Sequence, residues 1–171
     1  LGMLDAALSE READTSDRIE KRREWVAGKR AEMFASRAER LRSAQKVNPV
    51  HPAWLTHCID KAKPADAVVF REAPTLALEM LSMTGPRTFF TAGASGGLGW
   101  GLGTAIGAKL AAPERMVIAC EGDGAYMFGV PVAAHYMAMD QDAPFLTVIY
   151  TNRRWNEVRN ATRGVFPDGH A

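Results

Sequence analysis

Hydrophobic positions along the chain follow two unlike patterns. From Glu10 to Lys46 acids and bases crowd every turn and no proline interrupts. Ile19, Val26 and Met33 recur at heptad spacing, with Trp25, Phe34 and Leu41 widening the stripe. That period predicts a long amphipathic helix with one modest apolar face. Ser9 and Glu12 stand at capping-box spacing at its start. Too few heptads persist for a coiled coil, so the segment reads as a helical linker laid against a neighbouring domain.

From Asn48-Pro49 onward apolar runs alternate with helical patterns. His51-Pro52 opens a helix through Ala62, Ala67–Phe70 is a short strand, Pro74–Met83 is helical, and Gly85-Pro86 is a turn. Gly97–Leu110 reads as a Gly/Ala-rich helix, Met116–Cys120 as a strand, and Pro144–Tyr150 as the last clear strand. Val130-Pro131 opens the helix between those two strands, proline being tolerated in a first turn. Thr88–Thr91 is too short a run to count as a strand. Such alternation predicts an α/β fold, a parallel sheet flanked by helices. The expected organisation is a charged helical linker over 1–47 and an α/β domain over 48–171. That domain stops before a further strand and helix, as a piece of a longer polypeptide would.

Length and charge narrow the classes. At 171 residues the chain accommodates one domain with a proper core plus an appendage. A net charge of +1, with acids and bases interleaved along the first helix, gives no footprint for nucleic acid or an acidic membrane. Cys58 and Cys120 lie in apolar runs and read as reduced core thiols of a cytoplasmic protein. The N-terminal residues lack the apolar core of a signal peptide. The charge-free run Thr88–Ala108 is about as long as a membrane span, but its glycines and scarce bulky aliphatics predict burial in a fold instead.

The chemistry concentrates at two strand ends. Glu121-Gly122-Asp123-Gly124 follows one apolar run, and Thr151-Asn152 follows the other. If those runs are neighbouring parallel strands, Asp123 and Asn152 emerge side by side at the carboxyl edge, where open α/β sheets bind ligands. A carboxylate and an amide oxygen make a hard-oxygen site suited to Mg²⁺, which keeps substrate phosphates among its ligands. Gly122 and Gly124 permit close approach of the backbone, and Gly124 and Ala125 offer N–H groups to phosphate oxygens. A plain surface turn is the alternative reading of Gly-Asp-Gly, as an ordinary strand-end turn is of Asn152. His51, His57 and His170 show no metal-ligand spacing, and His135 reads as structural.

Gly-Asp-Gly, then a gap filled here by Ala125–Tyr150, then Thr151-Asn152 in place of Asn-Asn, resembles the cofactor motif of thiamine-diphosphate enzymes. The block Gly96–Arg115 is similar to the one preceding that motif in acetolactate synthases and benzoylformate decarboxylases. The resemblance covers about Pro52–Pro167. It implies a diphosphate-binding domain holding thiamine diphosphate and Mg²⁺ through Thr75, Gly97, Leu98, Gly122, Asp123, Gly124, Ala125 and Asn152. The metal ligands it implies are Asp123, Asn152 and the backbone carbonyl of Arg154. Thr75 is the one hydroxyl in Arg71–Thr75, where relatives place hydroxyls on the diphosphate. Leu98 matches the apolar wedge that bends the cofactor so that its amine meets C2. An activating glutamate is expected from a pyrimidine-binding domain of the same or a partner subunit, in a homodimer or homotetramer, so the fragment alone would be inactive. The substrate implied is a 2-oxo acid, decarboxylated and then ligated to a second carbonyl, or decarboxylated only. FAD belongs, if anywhere, to a middle domain of the parent enzyme.

Two further readings compete. Gly101–Gly107 fits a Gly-x-Gly-x-x-x-Gly variant, with Glu121 placed for a ribose contact, as in NAD(P)-binding dehydrogenases. That reading lacks a strand before the glycines and leaves Asp123 and Asn152 unexplained. A non-catalytic relative keeping the fold as an assembly module is the third. Trp155 lines a substrate cavity or packs in the core, and Arg159 and Arg163 are solvated helix charges or meet a substrate carboxylate.

Overall fold

The computed structural model describes residues 2–93 and 97–169, apart from the side chains of 12–15. Gly96 and His170 lie outside the described residues. The chain divides into two compact units, Leu1–Lys46 and Val47–Ala171.

The first unit is helical. α1 spans Gly2–Ser9 and α2 spans Glu12–Ala44. The break between them corrects the capping-box expectation. Ser9 ends α1, and the N-cap of α2 is Arg11, whose side chain makes no capping bond. Ion pairs one turn apart run along α2, including Lys21 with Asp17 at 2.7 Å and Lys29 with Glu32 at 2.7 Å. Such exposed pairs contribute about 0.3–0.5 kcal/mol each.

The second unit is a parallel sheet. Its strands are β1 (Val68–Arg71), β2 (Phe89–Thr91), β3 (Val117–Gly122) and β4 (Leu146–Tyr150), in the order β2-β1-β3-β4. Every pairing is parallel, with Val69 opposite Ile118 and Gly122 opposite Tyr150. α3 (Pro52–Ala62) precedes β1, and α4 (Gly101–Ala111) connects β2 to β3. α5 (Asp123–Phe128) and α6 (Pro131–Asp140) connect β3 to β4, and α7 (Asn156–Val165) follows.

Period-two alternation sorts the two faces of the sheet. Val69, Ile118 and Cys120 face one side with Ile59, Leu76 and Tyr150. Val68, Phe70, Val117 and Ala119 face the other with Ala105 of α4. Covered on both faces, β3 is buried from Val117 through Glu121, which is why its apolar run barely alternates. Val117 and Ile118, fully buried, contribute about 1.5–3 kcal/mol each.

Several expectations are corrected. Pro74–Met83 is not a helix; it holds one 3₁₀ turn, Leu78–Met80. The buried Thr56 hydroxyl explains this. It donates to Pro52 O at 2.8 Å and meets the Tyr150 hydroxyl at 2.9 Å, and it accepts the Ala77 N–H at 3.2 Å. That fixes an irregular course in which Leu76 and Met80 reach the core. Thr88–Thr91 contains a true strand, β2, too short for a periodic signal and stabilised by pairing with β1. Cys58 is exposed rather than a core thiol, while Cys120 is buried. Burial, with the neighbouring Glu121 charge adding to it, pushes the Cys120 thiol up to about 12. Among the described residues no helix is long and apolar enough to cross a membrane.

Candidate functional site

β3 and β4 are adjacent and parallel, so their carboxyl ends deliver Asp123 and Asn152 to the same edge. Asp123 is the first residue of α5. Its Oδ2 accepts from Thr151 Oγ1 at 3.0 Å and from the Asn152 N–H at 3.1 Å. Its Oδ1 accepts from the Gly124 N–H at 2.9 Å. Burial raises the Asp123 carboxyl, but hydrogen bonds from Thr151, Gly124, Arg153 and Asn152 outweigh it and hold the group below its ordinary value. Asp123 is therefore a carboxylate at neutral pH. Asn152 Oδ1 accepts the Arg154 N–H at 2.9 Å, closing a turn in which Arg153 has a φ of 57°.

This donor set fits a hard divalent cation. Asp123 Oδ1 and Asn152 Oδ1 each accept one bond and retain a lone pair for a metal. No cluster of three or more His, Cys, Asp or Glu forms among the described residues. Amide and carbonyl oxygens, together with ligand phosphates, would complete a Mg²⁺ shell.

The edge opens into a half-open cleft with a cavity volume of about 80 Å³. Of the residues singled out from the sequence, Thr75, Leu98, Gly122, Asp123, Gly124, Ala125, Asn152 and Arg154 all line it. Gly97 lines the adjoining hollows beside Leu98 instead. Leu98 is 41% exposed, an apolar side chain standing in the cleft rather than packed in the core. The Gly124 N–H is engaged by Asp123 itself in this conformation. Trp155 lies over Gly124, so that a methyl group there would touch its ring at 3.5 Å, and it meets Phe128 edge-on. It borders the cleft and is half-exposed.

Other residues fall elsewhere. His51 caps α3, its Nδ1 accepting the Ala53 N–H at 3.1 Å. His57 stacks on Trp54, and His135 stacks on Phe145 and meets the Tyr126 hydroxyl at 3.1 Å. Arg159 and Arg163 lie on α7.

The sequence reading gave no role to Glu72, a buried carboxyl on the wall of the cleft, and gave Glu121 only a ribose contact. Glu72, directly after β1, accepts the N–H groups of Gly99 and Gly101 at 2.5 and 2.7 Å. Glu121 is fully buried, with its carboxyl beside that of Glu72. Burial, reinforced by the Glu72 charge, pushes the Glu121 carboxyl up to about 8. A Cβ on Gly101 would sit 2.0 Å from Glu121 Oε1. Enclosed in this way, Glu121 is out of reach of a ribose, which removes the acidic contact of the dinucleotide reading. Each acid follows an apolar strand run, but the glycines it meets lie far away in sequence, so no local pattern marked the contact.

Comparison with known proteins agrees with this geometry. Residues 73–169 match the family model described as thiamine pyrophosphate enzyme, C-terminal TPP binding domain, TPP being thiamine diphosphate. The chain is similar to sulfoacetaldehyde acetyltransferase of Castellaniella defragrans, 33% identical over 66% of this chain and 19% of that protein. It is also similar to benzoylformate decarboxylase of Pseudomonas aeruginosa, 33% identical over 68% of this chain and 22% of that protein. Among solved structures, the thiamine diphosphate-dependent 4-hydroxybenzoylformate decarboxylase of Rhodococcus jostii RHA1 superposes with a TM-score of 0.62. It is 27% identical over 71% of this chain and 23% of that one. The chain thus spans about a fifth of the length of these curated relatives.

Proposed function

The chain belongs to the thiamine pyrophosphate enzymes through their C-terminal TPP-binding domain, and on that premise we propose that it holds the Mg²⁺-diphosphate end of thiamine diphosphate. The observation that carries this reading is the juxtaposition of Asp123 and Asn152 at the ends of neighbouring parallel strands, on a cleft also lined by Leu98. Asp123, Asn152 and the Arg154 carbonyl hold the metal. Gly122, Gly124, Ala125 and Gly97 let the backbone approach the cofactor, and Thr75 reaches the diphosphate. Leu98 supports the cofactor from below.

Thiamine diphosphate supplies the carbon nucleophile that adds to a carbonyl and the electron sink that follows. The chain's own residues bind and orient it. The Thr151 hydroxyl keeps Asp123 aimed and ionised, and Trp155 narrows the cleft mouth. The parent enzyme decarboxylates a 2-oxo acid and ligates the product to a second carbonyl, as an acetolactate synthase does. Similarity to benzoylformate decarboxylase supports the loss of CO₂ from a 2-oxo acid, whereas sulfoacetaldehyde has no carboxylate to lose, so the acetyltransferase relative supports only addition to a carbonyl and transfer. Benzoylformate decarboxylase-like release without ligation is the second reading. The activating glutamate comes from a pyrimidine-binding domain of the same or a partner subunit, in a homodimer or homotetramer in the cytoplasm.

The test is a panel of aliphatic and aryl 2-oxo acids offered to the full natural chain with thiamine diphosphate and Mg²⁺, following CO₂ release and product. Ligated product supports the first reading, and free aldehyde the second. No CO₂ from any 2-oxo acid contradicts both.

A further inference from the structure

We propose that Glu72 is the positioning residue of Leu98, fixing the loop that carries it by accepting the backbone N–H groups on its far side. This inference rests on the proposed cofactor reading, in which Leu98 meets thiamine diphosphate. Leu98 is 41% exposed and stands in the cleft, so its position depends on the backbone beneath it.

That backbone is gripped from three directions. Glu72 Oε1 accepts from Gly99 N and Oε2 accepts from Gly101 N, so one carboxylate spans both amides. Gly99 has a φ of +84° and lies against Gly129, where a Cβ would come within 2.8 Å of the Gly129 nitrogen. Gly101 closes on the Glu121 carboxyl. Glycine at both positions is what allows these approaches. The carboxylate also sits at the N-terminus of α4, where free amides and the helix dipole favour negative charge.

Glu72 is itself tied to the metal side of the site. The N–H groups of Glu72 and Ala73 both donate to Cys120 O, at 2.8 and 2.9 Å. Cys120 lies on β3, the strand that ends at Asp123. The Glu72 backbone is thus registered to the Asp123 strand while its side chain holds the Leu98 loop. A symmetrical pair of acceptors is required for this. Glutamine, of the same shape, would present one oxygen and turn an NH₂ group toward the second amide.

The experiment uses Glu72→Gln in the full natural chain, with two readouts. The first is amide hydrogen exchange in the apo protein. Exchange at Gly99 and Gly101 is expected to rise about tenfold while β3 amides stay unchanged, the signature of a local opening. The second compares Mg²⁺-dependent thiamine diphosphate affinity with exchange of the bound cofactor's C2 proton. Displacing the support without touching the metal ligands is expected to slow C2 exchange by about tenfold and to leave affinity within about threefold.

Unchanged exchange at both glycines overturns the proposal. Equal acceleration across β3 overturns it too, because that is general loosening, as does unaltered C2 exchange. Should the variant not fold, the unsubstituted chain decides the matter: Gly99 and Gly101 amides exchanging at free-peptide rates overturn the clamp. A natural chain that binds no thiamine diphosphate overturns the cofactor reading instead, and surviving amide protection tells that failure apart.

Discussion

In α2, Glu20, Glu32 and Glu39 each pair with a base three residues away, and their side chains are 62%, 68% and 69% exposed. In the α/β unit, Glu72 and Glu121 are buried at 8% and 0% exposure and sit against glycine backbone. The same side chain obeys different physics in the two places. Water already solvates the α2 glutamates, so their partners add little. The buried pair has lost water and must be satisfied by fixed amides or by keeping a proton. Acids at the surface of this chain keep a helix soluble, and acids in its interior set the shape of a site.

A methyl group added to a closely packed glycine has the largest expected effect. Gly99→Ala puts a methyl group into the Gly129 backbone at a left-handed φ. Overpacking there is expected to cost about 3 kcal/mol of stability, read by urea unfolding. A loss under about half a kilocalorie would mean that the Leu98 loop is not held as described.

Glu121→Gln probes the buried acid through pH. The Glu121 carboxyl is raised in the fold from its ordinary 4.5 to about 8, so the folded state retains a proton that the unfolded chain releases. Its contribution to stability is fully present below 4.5 and is lost as pH rises through 8. The natural chain should therefore melt at falling temperatures across that window. The glutamine variant, which cannot ionise, should flatten the decline. Parallel pH profiles for the two proteins would contradict the buried-acid account.

The smallest effect is the reverse of the first. Gly28 lies inside α2, where an added methyl group would meet nothing within 4 Å. Gly28→Ala should stabilise the helix by up to about 1 kcal/mol, read as slower amide exchange along α2. The same substitution thus has opposite signs in the two units.

What could be read from the sequence follows the same division. Runs with a clear period gave α3, β1, β3, β4 and the body of α2, because their side chains alone set the pattern. Asp123 and Asn152 were legible as neighbours since two apolar runs fixed both strand ends. β2 was not, because Phe89–Thr91 owes its conformation to pairing with β1. α5 was hidden because its first turn is the Asp123-Gly124 motif itself. Pro74–Met83 misled because its spacing suits a helix while the Thr56 hydroxyl imposes another course. The roles of Glu72 and Glu121 depend on chain segments far apart in sequence, so no local pattern announces them.

The most direct test is a calorimetric titration of the full natural chain with thiamine diphosphate, with and without Mg²⁺, alongside Asp123→Ala and with NAD as control. Binding is expected to require Mg²⁺ and to weaken by on the order of 100-fold in the variant. Binding indifferent to both Mg²⁺ and Asp123, or binding of NAD in its place, would contradict the cofactor reading.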